Sequence, residues 1–524
     1  MRKTFGLVLT GLLLLSGVMA AAPAAAARRH RVLRVGTWHG IPGNYKGLQK
    51  AVNAARPGDW ILIGPGDHRP KGVKRPEIAG VLVRTSHLHI RGMNRNRVII
   101  DGTKRHHHAC TKSRHAQRLG PRDKAGKHQG RNGLEVYKAN HVTLQNLTVC
   151  NFLASKDGGE GNQIWWNGGD GSGKIGMGAY DGSYLTATSS YSKGVNAPYG
   201  NYGIFVSNSR GPGLINRTYA SNMADSDYYI GACRDCNAVL RHAHGQYSSL
   251  AVSMTNAGGH LIIEKSEFDH NKSGPTSNSQ NNDDAPGPQN GHCPGKEKGP
   301  MGNGICEIWR HNYFHDNNNP NVPGNGSGLA GGAPVGTGAI LAGTEYIMLK
   351  HNRIEHNGSW GVLVADLPDQ ENPPPISHCE GGTYIDGGQV CYYQAFGNRV
   401  MANNFSKHNG FFGNPTNGDV GLATNEHNPG NCFHANKDPN GFTSDPPNIQ
   451  STPWYPCNQP NNGDLGPLLV QAECAGQLFG PCPNPPQAEY PRPTKVVLHL
   501  PHRKPTMPHP CAGVPTNPWC PKGR

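Results

Sequence analysis

A short element of the form Gly-apolar-x-apolar-small recurs through the middle of this chain and limits what it can fold into. It stands at Gly203-Ile-Phe-Val-Ser207, Tyr228-Tyr-Ile-Gly-Ala232, Leu250-Ala-Val-Ser-Met254, Gly338-Ala-Ile-Leu-Ala342 and Gly361-Val-Leu-Val-Ala365, with starts 25, 22, 88 and 23 residues apart. A second element sets an apolar or small residue three before an amide: Tyr219/Asn222, Ala243/Gln246, Phe268/Asn271, Phe314/Asn317 and Ile354/Asn357. The short intervals match one coil of a solenoid, about 20–25 residues. The long ones hold loops rich in Asn, Gly and Pro, from Gly274 to Asn303 and from Pro320 to Thr337. Alternate strand residues enter a narrow interior, and Gly and Asn turn the corners. Asn at the corners predicts amide ladders running from coil to coil. A propeller would need repeats of about 40–50 residues, which the short coils do not supply.

Ahead of the repeats, Leu48, Ala51, Val52 and Ala55 are spaced for a short amphipathic helix. Arg56-Pro-Gly-Asp59 then turns the chain into the strand Trp60-Ile-Leu-Ile63, which ends at Gly64-Pro-Gly66. This cap and the repeats behind it resemble the right-handed parallel β-helix superfamily of pectate lyases, pectin-degrading hydrolases, uronate epimerases and copper-accessory proteins. The resemblance covers about Asn44 to Glu426 and implies an all-β solenoid with a short capping helix and loop insertions. It implies no single activity, because one solenoid hosts many.

The first residues read as an export signal: Arg2 and Lys3, an apolar stretch from Phe5 to Met19, then small residues to Ala27. The expected organisation is a signal peptide at 1–27, a linker at 28–43, the β-helix at 44–427, a Cys/Pro-rich extension at 428–480 and a Pro-rich tail at 481–524. No other segment is apolar enough for a membrane span. Fourteen cysteines in an exported chain predict disulfides. Their grouping predicts local pairs: Cys110–Cys150, Cys233–Cys236, Cys293–Cys306, Cys379–Cys391, Cys432–Cys457, Cys474–Cys482 and Cys511–Cys520. Fifty Lys+Arg against 35 Asp+Glu favour a polyanionic partner, and export favours an acidic polysaccharide over nucleic acid. Some of this charge sits in a basic segment, Lys104 to Arg131.

With Tyr219, Ala243, Phe268, Phe314 and Ile354 inward, two outward columns follow. One reads Thr218, His242, Glu267, Tyr313, Arg353; the other reads Ala220, His244, Asp269, His315, Glu355. Coils stack about 4.8 Å apart, so Asp269 is expected between His244 and His315. A carboxylate flanked by imidazoles can poise a general base near neutral pH. Asp269, His244 and His315 are the proton-transfer candidates, and Arg241 or Arg353 would neutralise a substrate carboxylate. Glu267 with Asp269 is a candidate hydrolytic pair. The alternative for all of them is a solvated polar face.

Asp225 and Asp227, with Asp283 and Asp284 from a loop, make a second acidic group whose oxygens suit Ca²⁺. Its alternative is a polar loop over a coil end. His106-His-His108 offers Zn²⁺ or Cu²⁺ ligands or a solvated arm, and Trp165-Trp166 either stacks on sugar rings or packs on the solenoid. Two functions remain open: a secreted β-helix that binds, and as an enzyme cleaves or epimerises, an acidic polysaccharide, or a non-catalytic envelope scaffold. For an enzyme, lyase or epimerase chemistry is expected ahead of hydrolysis, because both start by removing the proton alpha to a uronate carboxylate.

Overall fold

The computed structural model describes residues 30–73, 76–280, 293, 304–326, 328–369, 390–451, 459–476 and 490–522. Over these residues the chain winds into a right-handed parallel β-helix. A representative coil carries three strands: Leu250–Thr255, Leu261–Glu264 and Glu267–Asp269. Each pairs in parallel with its equivalent one coil on, giving three faces. The face of Leu261–Glu264 is termed the first, that of Glu267–Asp269 the second and that of Leu250–Thr255 the third. Among the described residues no helix is long and apolar enough to cross a membrane.

The corners of the second face are single residues in the left-handed region. On one side stand His242, Lys265, His311 and His351, and on the other Asn222, Tyr247, His270, Asp316 and His356. Asn, Asp and His tolerate this conformation better than most residues, so several of the chain's histidines are corner residues. The amide ladders follow immediately after these bends. Asn271, Asn317, Asn357 and Asn409 pass a hydrogen bond from Nδ2 to the next Oδ1 at 3.2, 3.4 and 3.1 Å. Asn312, Asn352, Asn403 and Asn436 repeat this at 3.0 Å per step on the opposite corner. Each rung satisfies backbone groups that a tight bend would otherwise leave buried and unpaired.

The second face differs in two coils from the register expected from the sequence. Its inward column is Ala220, Gly245, Phe268, Phe314, Ile354 and Phe405, not Tyr219 and Ala243. The cause is steric. A Cβ on Gly245 would lie 2.9 Å from Asp227 Oδ2 and 3.2 Å from the Phe268 ring, so the slot has no room for a side chain. Glycine leaves no apolar mark in a repeat, and the neighbouring alanine takes its place in a pattern search. Asn222 and Gln246 accordingly stand outside the ladder; Ser248 fills the rung next to Asn271, whose Oδ1 accepts its backbone N–H at 2.9 Å.

The capping helix is present at Leu48–Ala54 and buries Leu48, Ala51 and Val52. The solenoid begins earlier than the cap, at Val32–Val35, which pairs with Trp60–Ile63. It also runs past residue 427: Cys432–His434 pairs with Arg399–Met401, and Ser444–Asp445 with Val420 and Gly421. Helix Leu465–Gly476 then packs Leu468, Ala472 and Ala475 against Trp360 and Leu363. Four expected disulfides are formed, Cys110–Cys150, Cys233–Cys236, Cys293–Cys306 and Cys511–Cys520. Cys391, Cys432 and Cys474 are disulfide-bonded as well; their expected partners Cys379, Cys457 and Cys482 lie outside the described residues.

The tail is laid back along the outside of the solenoid, running against its direction of growth. Asn321 Oδ1 accepts from the backbone N–H of Thr494 at 2.8 Å, and Asn222 exchanges two hydrogen bonds with His499. Asn96 does the same with Lys504, and Asn146 Oδ1 accepts from Met507 N. Beyond them Arg91 donates to Pro510 O and Ala512 O. The Cys511–Cys520 loop then buries Trp519 beside Trp60, Leu62 and Met93 at the N-terminal end.

Candidate functional site

The second face presents two outward columns. The first is Tyr219, His244, Glu267, Tyr313, Arg353; the second is Ser221, Gln246, Asp269, His315, Glu355. The corrected register moves His244 into the column of Glu267, one place diagonal to Asp269. The two still meet, because parallel neighbours two residues apart lie within reach of a long side chain. His244 Nε2 is 2.7 Å from Asp269 Oδ1, and Gln246 Nε2 donates to Asp269 Oδ2 at 2.6 Å. His270, at the left-handed corner, bonds the same Oδ2 through Nδ1.

Asp269 was expected on an open surface, yet only 4% of its side chain is exposed, against 28% for His244 and 47% for Glu267. Neighbours on the coils to either side and at the corner enclose it. Burial alone would raise its pKa, but the bonds from His244, His270 and Gln246 hold its carboxyl far below the usual range. A carboxylate so stabilised is a poor proton acceptor, so Asp269 orients and polarises rather than abstracting. An ionised carboxylate only accepts, which assigns the proton on His244 to Nε2 and makes Nδ1 its basic nitrogen. Among the described residues no hydrogen-bond partner meets Nδ1.

The next coils extend an alternating chain of imidazoles and carboxylates. His315 Nε2 lies 3.3 Å from Glu267 Oε1, and its Nδ1 lies 2.7 Å from Asp316 Oδ2. Asp316 also meets His356. Burial opposes the charge on His315, but its two carboxylate partners raise its pKa overall. The bond from His315 pulls Glu267 below its ordinary value. Tyr313 hydroxyl donates to Glu355, and its ring stacks on His315 at 3.7 Å between centroids. Alongside runs an open groove of about 670 Å³ lined by His242, His244, Glu267, Tyr313, His351 and Arg353.

The two arginines expected to grip a substrate carboxylate are less suited to it. Arg241 ends a first-face strand, in register with Asn216 and Glu264, and the bend at His242 separates it from the cluster. Arg353 borders the groove, but Glu355 already accepts from its Nε and Nη2 at 2.9 and 2.7 Å. Sequence reasoning placed Tyr313 beside the cluster but overlooked Gln246, His270 and Asp316 as members of the network. Their signal was there: Gln246 falls on the second face once Gly245 is taken as the inward residue, and His270 and Asp316 directly follow the outward Asp269 and His315.

The described part of the calcium candidate does not fit an ion. Asp227 is fully buried, its Oδ1 accepts from Ser248 Oγ at 2.6 Å, and burial pushes its pKa well up. Asp225 instead meets the Tyr202 hydroxyl at 2.8 Å and lines a groove on the third face. Asp283 and Asp284 lie outside the described residues. Among the described residues, His244, Glu267 and Asp269 are the group of three whose ligand atoms lie within 4.8 Å of one another. Both Asp269 oxygens are taken by nitrogen donors there. His106, His107 and His108 are exposed on the basic segment. Trp166 is buried and donates to Val142 O, whereas Trp165 stacks on Phe205 at 4.8 Å on the outer side of the third face.

No family model matches the chain, and no curated protein does. Among solved structures it is similar to the Azotobacter vinelandii mannuronan C-5 epimerase AlgE6 A-module, at 11% identity and a TM-score of 0.40, over 74% of this chain and 93% of that one. An alginate lyase from Paenibacillus sp. str. FPU-7 matches at 11% identity and 0.36, over 74% and 97%. The tailspike protein of E. coli bacteriophage HK620, in complex with a pentasaccharide, matches at 10% identity and 0.41, over 78% and 58%. Likeness at this level says nothing about chemistry.

Proposed function

We propose that this chain is an extracellular enzyme acting on an acidic polysaccharide, with the second face as its active surface and proton abstraction alpha to a uronate carboxylate as its chemistry. The observation that carries this reading is the His244–Asp269 pair. Asp269 fixes the imidazole with Nδ1 outward, a general base backed by a buried carboxylate. Tyr313, one coil beyond Glu267, carries a hydroxyl that returns a proton to the leaving oxygen or to the opposite sugar face when it turns from Glu355, its resting acceptor.

Hydrolysis by Glu267 and Asp269 is less well supported. That mechanism needs one carboxylic acid held protonated near neutral pH, and both of these groups are shifted the other way. Disulfide-bonded cysteines, with none free among the described residues, support export. The test is a panel of polyuronates and neutral glycans, followed by absorbance of unsaturated products. Turnover of a polyuronate that is lost in Asp269→Asn supports the reading. Binding of a polyuronate by the wild type without any turnover would reduce the chain to a scaffold.

A further inference from the structure

Proton abstraction from a uronate requires a cation beside the substrate carboxylate, to stabilise the anion that forms. Arg241 lies beyond the bend and Arg353 is neutralised by Glu355, so these two arginines leave that role open. The tail fills it. Between His499 and Pro505 it crosses the second face at the coil just N-terminal to the cluster, and it carries His502, Arg503 and Lys504 there. His502 and Arg503 are exposed; Lys504 is half-buried and turned to the solenoid. Its Nζ sits 3.6 Å from the centre of the Tyr219 ring. The imidazole of His244 meets that same ring edge-on, 5.4 Å away, and Tyr219 hydroxyl donates to Gln246, the amide that holds Asp269. Lys504, Tyr219, His244 and Asp269 therefore form one contiguous cluster across 285 residues of chain. Burial first, and then the charge of Arg95, lower the Lys504 pKa from its ordinary value, while Asp269 and Glu267 on the facing side favour its ammonium form.

The tail is fixed in this place. Reciprocal bonds from Asn222 and Asn96 hold its backbone on either side of the crossing. Trp519, 3% exposed in a core with Trp60 and Met93, ties down its end. An ammonium held by an aromatic face keeps its remaining N–H donors for an incoming anion.

We infer that Lys504 is the carboxylate-recognising residue of the second face, so that the C-terminal tail is a wall of the substrate site and selects acidic over neutral glycan. This rests on the function proposed above. The test compares full-length wild type, Lys504→Ala, Lys504→Gln and Arg503→Ala, using calorimetric affinities for a polyuronate and for the same polymer with its carboxylates reduced to alcohols. Lys504→Gln keeps the aliphatic stem over Tyr219 should Lys504→Ala disturb packing. Both Lys504 variants should lose about tenfold in affinity for the acidic polymer, the worth of one partly desolvated ion pair, and none for the reduced one. Arg503→Ala removes the same charge from an exposed position and should change affinity by less than about twofold. Equal loss on both polymers, no loss, or tighter binding in the Lys504 variants overturns the inference and leaves the active-surface reading in place. A wild type that binds no polyuronate overturns both.

Discussion

His244 and Asp269 stand in different outward columns of the second face, yet the imidazole Nε2 lies 2.7 Å from the carboxylate Oδ1. The contact is diagonal and bridges adjacent coils. It depends on Gly245 between the two columns, since that slot keeps His244 and Gln246 on the same outward side.

Gly245→Ala is therefore expected to disturb both stability and site. The added carbon would lie 2.9 Å from the buried Asp227 and 3.2 Å from the Phe268 ring. Overpacking of this kind costs about 1–3 kcal/mol. Urea unfolding should show a lower midpoint at unchanged slope, and an unchanged midpoint would contradict the register.

The ladders offer a second, independent measure. Asn352 donates to Trp309 O and Asn403, and its Oδ1 accepts from Asn312 side chain and backbone. Asn352→Ala leaves several buried groups unpaired and should cost about 2–4 kcal/mol, more than one ordinary hydrogen bond. A loss below about 1 kcal/mol would mean that water replaces the amide, and that the ladder is not what secures the corner.

The imidazole–carboxylate chain sets a pH signature. Asp269, Glu267 and Asp316 sit below the ordinary carboxylate range, while His270 and His315 sit above the ordinary imidazole value. Lowered carboxylates give stability present above their unfolded pKa, about 4, and lost as pH falls toward the folded value. Raised imidazoles give stability present below about 6.5 and lost as pH rises through their folded pKa. The melting temperature should peak between about pH 5 and 6.5, and Asp269→Asn should flatten both flanks. A wild-type profile that is already flat would contradict the network.

Tail docking can be checked by proteolysis. Trp519 Nε1 donates to Ile41 O, and its ring closes the N-terminal core with Trp60 and Met93. Trp519→Ala should expose the tail to cleavage upstream of Cys511 while the solenoid resists digestion. Equal resistance of tail and solenoid would show that the asparagine contacts alone hold it.

Much of this architecture was legible in the sequence, because its causes are local. The coil length, the strand period and the corner asparagines are written in the order of residues, and the capping helix follows from apolar spacing. The inward register was legible where a large apolar residue fills the slot, as at Phe268, Phe314 and Ile354. It failed at Gly245, where the occupant arrives from Asp227 and the neighbouring Phe268. Asp269 and His244 were identified as partners, but not that Asp269 would be enclosed, because its cover comes from neighbouring coils and from His270 at a left-handed bend. The tail's place was invisible for a plainer reason: Lys504 and Tyr219 are 285 residues apart, and an extended proline-rich segment carries no periodicity to say where it docks.

The central claim is that the second face removes the proton alpha to a uronate carboxylate, with His244 as base and Asp269 behind it. Its most direct measurement is proton NMR of a polyuronate incubated with the full-length protein in D₂O, following loss of the C5 proton signal and growth of unsaturated chain ends. The account predicts solvent deuterium at C5, or unsaturated ends, with wild type, and a rate lower by about 10²–10⁴-fold in Asp269→Asn, the range for removing a general base's support. An unaltered C5 proton with wild type, or an equal rate in Asp269→Asn, would contradict it.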